Sequence, residues 1–298
     1  MDSGRRSHRS YRMDRQNFMV TAAEDDCDDE QCGGEEVAPT QAPADLLFGF
    51  LDTRPLLPAL LVSSTALVSL AAGALEIPLL LRCFPSLPAF GTHAAYAGLN
   101  GVTLVCMLFC IFVSPGMVGE DEAEDDEHLP ERAKKSWQYP RAILRYDHYC
   151  RWLANSIGLL NHREFMVMVT GLVAIGATGV AVDCILLVKT ALASRDPLTI
   201  AMLLLHVVYS SALLKYVAPI FLIHVGLISR SETANDWKTD AFYVMKGTDT
   251  RLDELSDADS ILTEDKEYYP PMNEFDRGVS ANCWAFWCAT RWGSKGEF

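Results

Sequence analysis

Positive charge is scarce in this chain: 25 Lys and Arg stand against 39 Asp and Glu in 298 residues, a formal net charge of −14. Binding to nucleic-acid phosphates needs a basic face, so nucleic acid is excluded as a partner. A disulfide framework is also missing. The cysteines (Cys27, Cys32, Cys83, Cys106, Cys110, Cys150, Cys184, Cys283 and Cys288) are scattered, and several sit inside apolar runs, which points to reduced thiols. No apolar run directly follows the arginines of residues 1–16, so no secretory signal peptide is expected there. Residues 1–55, with those arginines and an acidic stretch from Glu24 to Glu36, read as a disordered cytosolic tail. Charge of either sign is almost absent from long stretches further on. That unevenness excludes a simple soluble globule, a disordered chain, a coiled coil and a collagen-like fibre.

What fills the uncharged stretches is hydrocarbon. Leu56–Leu81 carries only Glu76, Ala94–Val113 carries no charge, Phe165–Val188 carries only Asp183, and Leu198–Ile228 carries Lys215 with His206 and His224. A bilayer crossing needs about 20 apolar residues, so the fold class is an all-α membrane protein with four transmembrane helices. The organisation that follows is the 1–55 tail, helices 1 and 2 in 56–113, a loop in 114–164, helices 3 and 4 in 165–228, and a tail in 229–298. The 114–164 loop holds Arg132, Lys134, Lys135, Arg141, Arg145, Arg151 and Arg163. The short opposite loops hold only Arg82, Lys189 and Arg195. By the positive-inside rule, the loop and both termini are cytosolic. Glu76 and Asp183 fall near the far ends of their spans, where water is expected to reach them. Lys215 reads as a snorkelling side chain, and no proton pathway is expected.

The residues that carry chemistry are in the loop. Asp147-His148-Tyr149-Cys150 brings a carboxylate, an imidazole and a thiol within four residues. The imidazole can take the thiol proton, and the carboxylate can fix the imidazole tautomer and stabilise its cation. Arg145 and Arg151 are expected to favour the thiolate further.

This constellation resembles the signature of the DHHC protein S-acyltransferases (palmitoyltransferases), in a D-H-Y-C variant. Ser114-Pro115-Gly116 is similar to the family's D-P-G. The spacing from Cys150 to Ser156, Asn161 and Phe165 matches the residues after the signature. Thr233-Ala234-Asn235-Asp236 resembles T-T-x-E. Asn273 to Gly278, followed by Asn282 and the aromatic Trp284, Phe286 and Trp287, resembles the C-terminal motif. The resemblance implies transfer of a long-chain acyl group (palmitoyl) from acyl-CoA, as co-substrate, to cysteines of membrane-associated protein substrates. Cys150 would form the acyl-enzyme, with His148 as general base and Asp147 orienting it. Trp152 would line the acyl cavity, and Arg141 and Arg145 would meet the CoA phosphates. Asn161, Phe165, Thr233, Asp236 and Asn282 would be structural. The membrane would be an endomembrane (Golgi or ER) or the plasma membrane.

The family braces this loop with zinc, through C-x2-C-x9-H-C-x2-C-x2-C-x4-D-H-H-C-x5-C. Counting from Asp147, the ligand positions are Glu122, Asp125, Lys135, Ser136, Tyr139, Ala142, Tyr149 and Ser156, none of them Cys or His. Structural zinc takes thiolate or imidazole almost throughout, so no zinc and no other cofactor are expected. In its place, an aromatic core is expected from Trp137, Tyr139, Pro140, Ile143, Leu144, Tyr146, Tyr149, Trp152 and Leu153. The competing readings are a catalytically inactive DHHC-like scaffold or accessory subunit, and an unrelated four-span protein such as a small transporter.

Overall fold

The computed structural model describes residues 46–47, 51–52, 56–120, 129–193, 196–247, 251–252 and 266–291. Four long helices dominate them: α1 (Leu56–Cys83), α2 (Ala89–Phe112), α3 (His162–Ala193) and α4 (Pro197–Ser229). All four are long and apolar enough to cross a membrane. Each overlaps one of the expected spans, and α3 extends beyond its apolar run at both ends. The extra first turn, beginning at His162, matters for the site. Asp196 starts α4 by accepting the Thr199 N–H at 3.1 Å, with Pro197 at the first helical position.

α3 is the hub of the bundle, packed along α4 and against α2, while α1 lies against α2. Water offers no driving force between helices in lipid, so close backbone approach through small residues has to do the work. At Gly171, a Cβ would lie 2.1 Å from Thr103 Oγ1 of α2. At Gly179, it would lie 2.4 Å from Ser210 Oγ of α4. A Cβ at either position would force Thr103 or Ser210 to shift.

Among its described residues, the loop between α2 and α3 is mostly strand and turn. It folds into two antiparallel hairpins, β3–β4 (Lys134–Ser136 with Tyr139–Ile143) and β5–β6 (His148–Cys150 with Asn155–Ile157). In the second, His148 pairs with Ile157, Tyr149 with Ser156 and Cys150 with Asn155. Its tip is fixed to the bundle by Asn155, whose Nδ2 donates to the Cys110 and Val113 carbonyls at 2.8 and 3.0 Å. These are groups that the end of α2 leaves without helical partners.

After α4, a short helix α5 (Ala234–Lys238) is followed by the pair Tyr243–Met245 and Lys266–Tyr268, a 3-10 turn (Pro270–Met272) and helix α6 (Val279–Cys288). α6 packs against α4. Of the tail expected to be disordered, β1 (Leu46–Leu47) and β2 (Leu51–Asp52) form a short antiparallel ladder. The rest of residues 1–55 lies outside the described residues. One expectation about the spans is overturned. Asp183 does not reach water: it is fully buried, and His206 joins it to Glu76. Helix packing, which linear spacing does not show, brings the three together.

Candidate active site

Strand β5 sets the geometry. Asp147 leads into it, and His148 and Cys150 take alternate positions, so imidazole and thiol project from the same face of the hairpin. His148 Nδ1 donates to Asp147 Oδ2 at 2.6 Å. That bond assigns the N–H to Nδ1 and leaves Nε2 as the basic nitrogen.

Asp147 is only 1% exposed and is ringed by imidazoles, two of which the sequence reading did not single out for the site. His224 Nε2, from α4, lies 3.3 Å from Oδ2, while its Nδ1 donates to the Ile220 carbonyl at 2.9 Å. His162 Nε2, at the start of α3, lies 3.7 Å from Oδ1. The Ala234 N–H of α5 donates to Oδ1 at 2.9 Å. Burial by itself would raise the Asp147 carboxyl. The nearby His162 ring and the hydrogen bonds from His148 and His224 outweigh it and hold the carboxyl well below its ordinary range. Phe165 stands edge-on to His148 with ring centroids 5.2 Å apart, and it is tilted against His224 at 5.1 Å.

Cys150 sits in an apolar cluster with Leu153, Phe165, Met166 and Val169, flanked by Val217 and Phe221 of α4. Burial pushes its thiol up to about 11, partly opposed by the backbone N–H groups of Leu153 and Trp152. Desolvation therefore opposes the pull of Arg145 and Arg151 toward the thiolate that the sequence suggests. Alkylation of Cys150 should then speed up about tenfold per pH unit from about pH 7 to 10, following the thiolate fraction. A plateau near neutrality in a stopped alkylation series would contradict this.

The other expected residues divide. Asn161 is fully buried and ties the hairpin to α3, accepting the Gly158 N–H and donating to the Ser156 carbonyl, both at 2.9 Å. Thr233 and Asp236 form a reciprocal capping box on α5. Asp236 also pairs with Arg132 at 2.9 Å, and the Arg132 guanidinium lies 3.6 Å from the Phe275 ring centroid, which locks loop and C-terminal segment together. Asn282 Nδ2 donates to the Ser229 carbonyl at the end of α4 and to Asp276 Oδ1, at 2.9 and 2.7 Å. Phe286 is buried edge-on to His162, whereas Trp284 and Trp287 face outward.

Arg145 does not fit the role of meeting CoA phosphates. It is 4% exposed, has a left-handed φ of 46°, and its guanidinium lies 5.8 Å from the Phe286 ring centroid. Burial lowers it to about 10. Arg141 donates to the Val118 carbonyl at 2.9 Å and is exposed in part. Trp152 lies on the β5–β6 turn with 40% of its surface exposed, outside the loop's core.

Among the described residues, the side chains at the family's zinc positions are not zinc ligands by type. Tyr139 Oη donates to Asn155 Oδ1 at 2.6 Å, and Tyr149 meets Trp137 edge-on with centroids 5.2 Å apart. Ser156 donates through both N and Oγ to Gln138 Oε1, at 3.0 and 3.1 Å. Ala142 offers only a buried methyl group. Glu122 and Asp125 lie outside the described residues. The filling is thus partly the expected aromatic packing and partly a hydrogen-bond net centred on Gln138, which the sequence reading did not foresee. Among the described residues, two other groups have the spacing of metal ligands: Asp147, His148 and His224, and Glu76, Asp183 and His206. In the first, an ion would replace the hydrogen bond that assigns the His148 tautomer.

Comparison with known proteins points the same way. Residues 122–241 match the DHHC palmitoyltransferase family. Palmitoyltransferase AKR1 of Yarrowia lipolytica is 29% identical over 28% of this chain and 16% of its own length. Palmitoyltransferase AKR1 of Candida glabrata is 44% identical over 14% of this chain and 6% of its own length. Palmitoyltransferase PFA3 of Yarrowia lipolytica is 42% identical over 13% of this chain and 10% of its own length. The similarity thus spans at most 16% of the length of these relatives. Four helices are long and apolar enough to cross a membrane, and residues 122–241, which hold the Asp147-His148-Tyr149-Cys150 hairpin, form a domain that matches the DHHC palmitoyltransferase family.

Proposed function

We propose that the protein is a protein-cysteine S-acyltransferase that moves a long-chain acyl group, palmitoyl, from acyl-CoA to cysteines of membrane-associated proteins. The observation that carries this reading is the Asp147–His148 hydrogen bond at 2.6 Å on the strand that ends at Cys150. His148 Nε2 takes the Cys150 proton as sulfur attacks the thioester carbonyl. The CoA thiolate leaves and is protonated by His148. A substrate cysteine then gives its proton to His148 and attacks the acyl-enzyme, and Cys150 is released as the thiol. Burial of an acyl chain contributes about 0.8 kcal/mol per methylene. The apolar cluster around Cys150, reaching Val217 and Phe221 of α4, suits that chain. The loop and both termini face the cytosol of an endomembrane or the plasma membrane, supported by the concentration of Lys and Arg in the loop.

Incubation of the purified protein with labelled palmitoyl-CoA tests the reading. Hydroxylamine-sensitive label mapped to the Cys150 peptide is the expected result, and folded protein that takes no label refutes it. His148→Ala should slow self-acylation by about 10²–10⁴-fold, the usual contribution of a general base. An unchanged single-turnover rate would assign the base elsewhere.

The buried, protonated thiol favours one second reading, a catalytically inactive scaffold of the same family. Absence of label would leave that reading standing.

We also propose that the loop is held without zinc, as its side-chain chemistry at the former ligand positions supports. A family loop draws on metal binding that reaches roughly 10–16 kcal/mol per zinc in isolated fingers. Here the Gln138 net, the Trp137–Tyr149 pair and the Asn155 anchor take that place. Treatment of the purified protein with a strong chelator should leave the Trp fluorescence of the loop and self-acylation unchanged. Loss of the loop's Trp fluorescence on chelation would refute a metal-free loop.

A further inference from the structure

Far from the acyl-transfer hairpin, three helices each contribute an ionisable side chain to one point. Glu76 comes from α1, Asp183 from α3 and His206 from α4. His206 Nδ1 lies 2.8 Å from Glu76 Oε1 and 2.9 Å from Asp183 Oδ2, and the donor atoms all lie within 4.8 Å of one another. Asp183 follows His162 by about 30 Å of helix at 1.5 Å per residue, so this cluster and Asp147 occupy opposite ends of α3.

Hydrogen bonding does not account for the arrangement. Asp183 is fully buried, yet neither of its carboxylate oxygens has a hydrogen-bond partner. The His206 Nδ1 is close to both carboxylates but in hydrogen-bond geometry with neither. One turn along α4, Ser210 Oγ is likewise buried and without a partner. Gly179, one turn before Asp183, opens the space: a Cβ there would lie 2.4 Å from Ser210 Oγ and 3.5 Å from His206 Cε1. Charge gives the second argument. Two carboxylates and one imidazolium would leave a net negative charge between helices, where unpaired charge is costly. Two carboxylates and a neutral imidazole around a divalent cation are neutral.

We propose that Glu76, Asp183 and His206 bind a divalent transition-metal ion of the zinc class that ties α1, α3 and α4 together within the membrane. The imidazole in the donor set selects such an ion over calcium or magnesium, which take oxygen ligands. The proposal is independent of the acyl-transfer chemistry and of the zinc-free loop.

The test uses the full chain, purified in detergent without chelator, and the variants Asp183→Asn, His206→Gln and Glu76→Gln. Elemental analysis should find about one zinc per wild-type chain and a loss of at least about fivefold in each variant. Thermal unfolding of chelator-treated wild type should shift upward when zinc chloride is restored. Cobalt added to the same stripped protein should give the visible absorption of mixed nitrogen and oxygen coordination. Should a variant fail to fold, the restoration and cobalt measurements on wild type still decide. Wild type that holds no metal and gains no stability from zinc overturns the proposal, leaving the cluster neutralised by a proton. Metal retained equally by all three variants also overturns it, because the ion is then bound elsewhere.

Discussion

Cys150→Ser is expected to abolish hydroxylamine-sensitive labelling by palmitoyl-CoA altogether. The thiol is the one group of the hairpin that combines nucleophilicity with an apolar pocket around it, and it projects from the same strand face as His148. A serine hydroxyl at that point keeps the volume but has a far higher pKa. Any ester that it formed would not have the lability of a thioester. Thermal unfolding should change little, because Cys150 makes only packing contacts and accepts backbone hydrogen bonds. Persistent label of thioester character in Cys150→Ser would show that another cysteine, such as the neighbouring buried Cys110, carries the acyl group.

Asp147→Asn should lower the single-turnover rate on the order of 10⁴-fold, the scale of loss when a carboxylate that orients a catalytic histidine becomes an amide. The reason is in the pattern of donors. Oδ2 accepts from His148 and faces His224, while Oδ1 accepts from the Ala234 N–H. An asparagine has one oxygen and one amino group for these two places. With the amino group at the Oδ2 place, His148 must take the other tautomer, and Nε2 carries the proton instead of receiving it. With the amino group at the Oδ1 place, two donors meet at Ala234. Either way, a buried donor loses its acceptor, which costs about 1–3 kcal/mol. Thermal unfolding should therefore fall together with the rate. A variant that is as stable and as fast as wild type would remove Asp147 from the mechanism.

The three-histidine surround of Asp147 explains how a carboxylate stays ionised where the thiol beside it does not. Both are desolvated. Asp147 has imidazoles and a backbone N–H directed at its oxygens, whereas Cys150 has hydrocarbon and the end of a turn. In the proposed reaction, proton transfer to His148 would therefore accompany attack on the thioester rather than precede it.

Much of this protein was legible in the order of its residues. The four apolar runs mark the membrane helices, because a hydrocarbon layer demands length and lack of charge that no other environment imposes over 20 or so residues. Asp147, His148 and Cys150 are close along a strand, so their partnership follows from local spacing. That the loop's zinc positions hold neither Cys nor His is legible from residue type alone. Tertiary structure decided what depends on packing between distant segments. His162 and His224 reach Asp147 only because α3 begins a turn before its apolar run and α4 ends beside it. Arg145 reads as a surface cation, but a left-handed turn folds it inward, where burial makes it part of the scaffold. Glu76, Asp183 and His206 lie on three different helices, so their convergence depends on helix rotation and close approach at Gly179. Composition and spacing determine which segments enter the membrane and bring Asp147, His148 and Cys150 together along one strand. The relative rotation of packed helices determines which charges meet, because an ion pair needs its atoms within about 4 Å and the sequence carries no such distances.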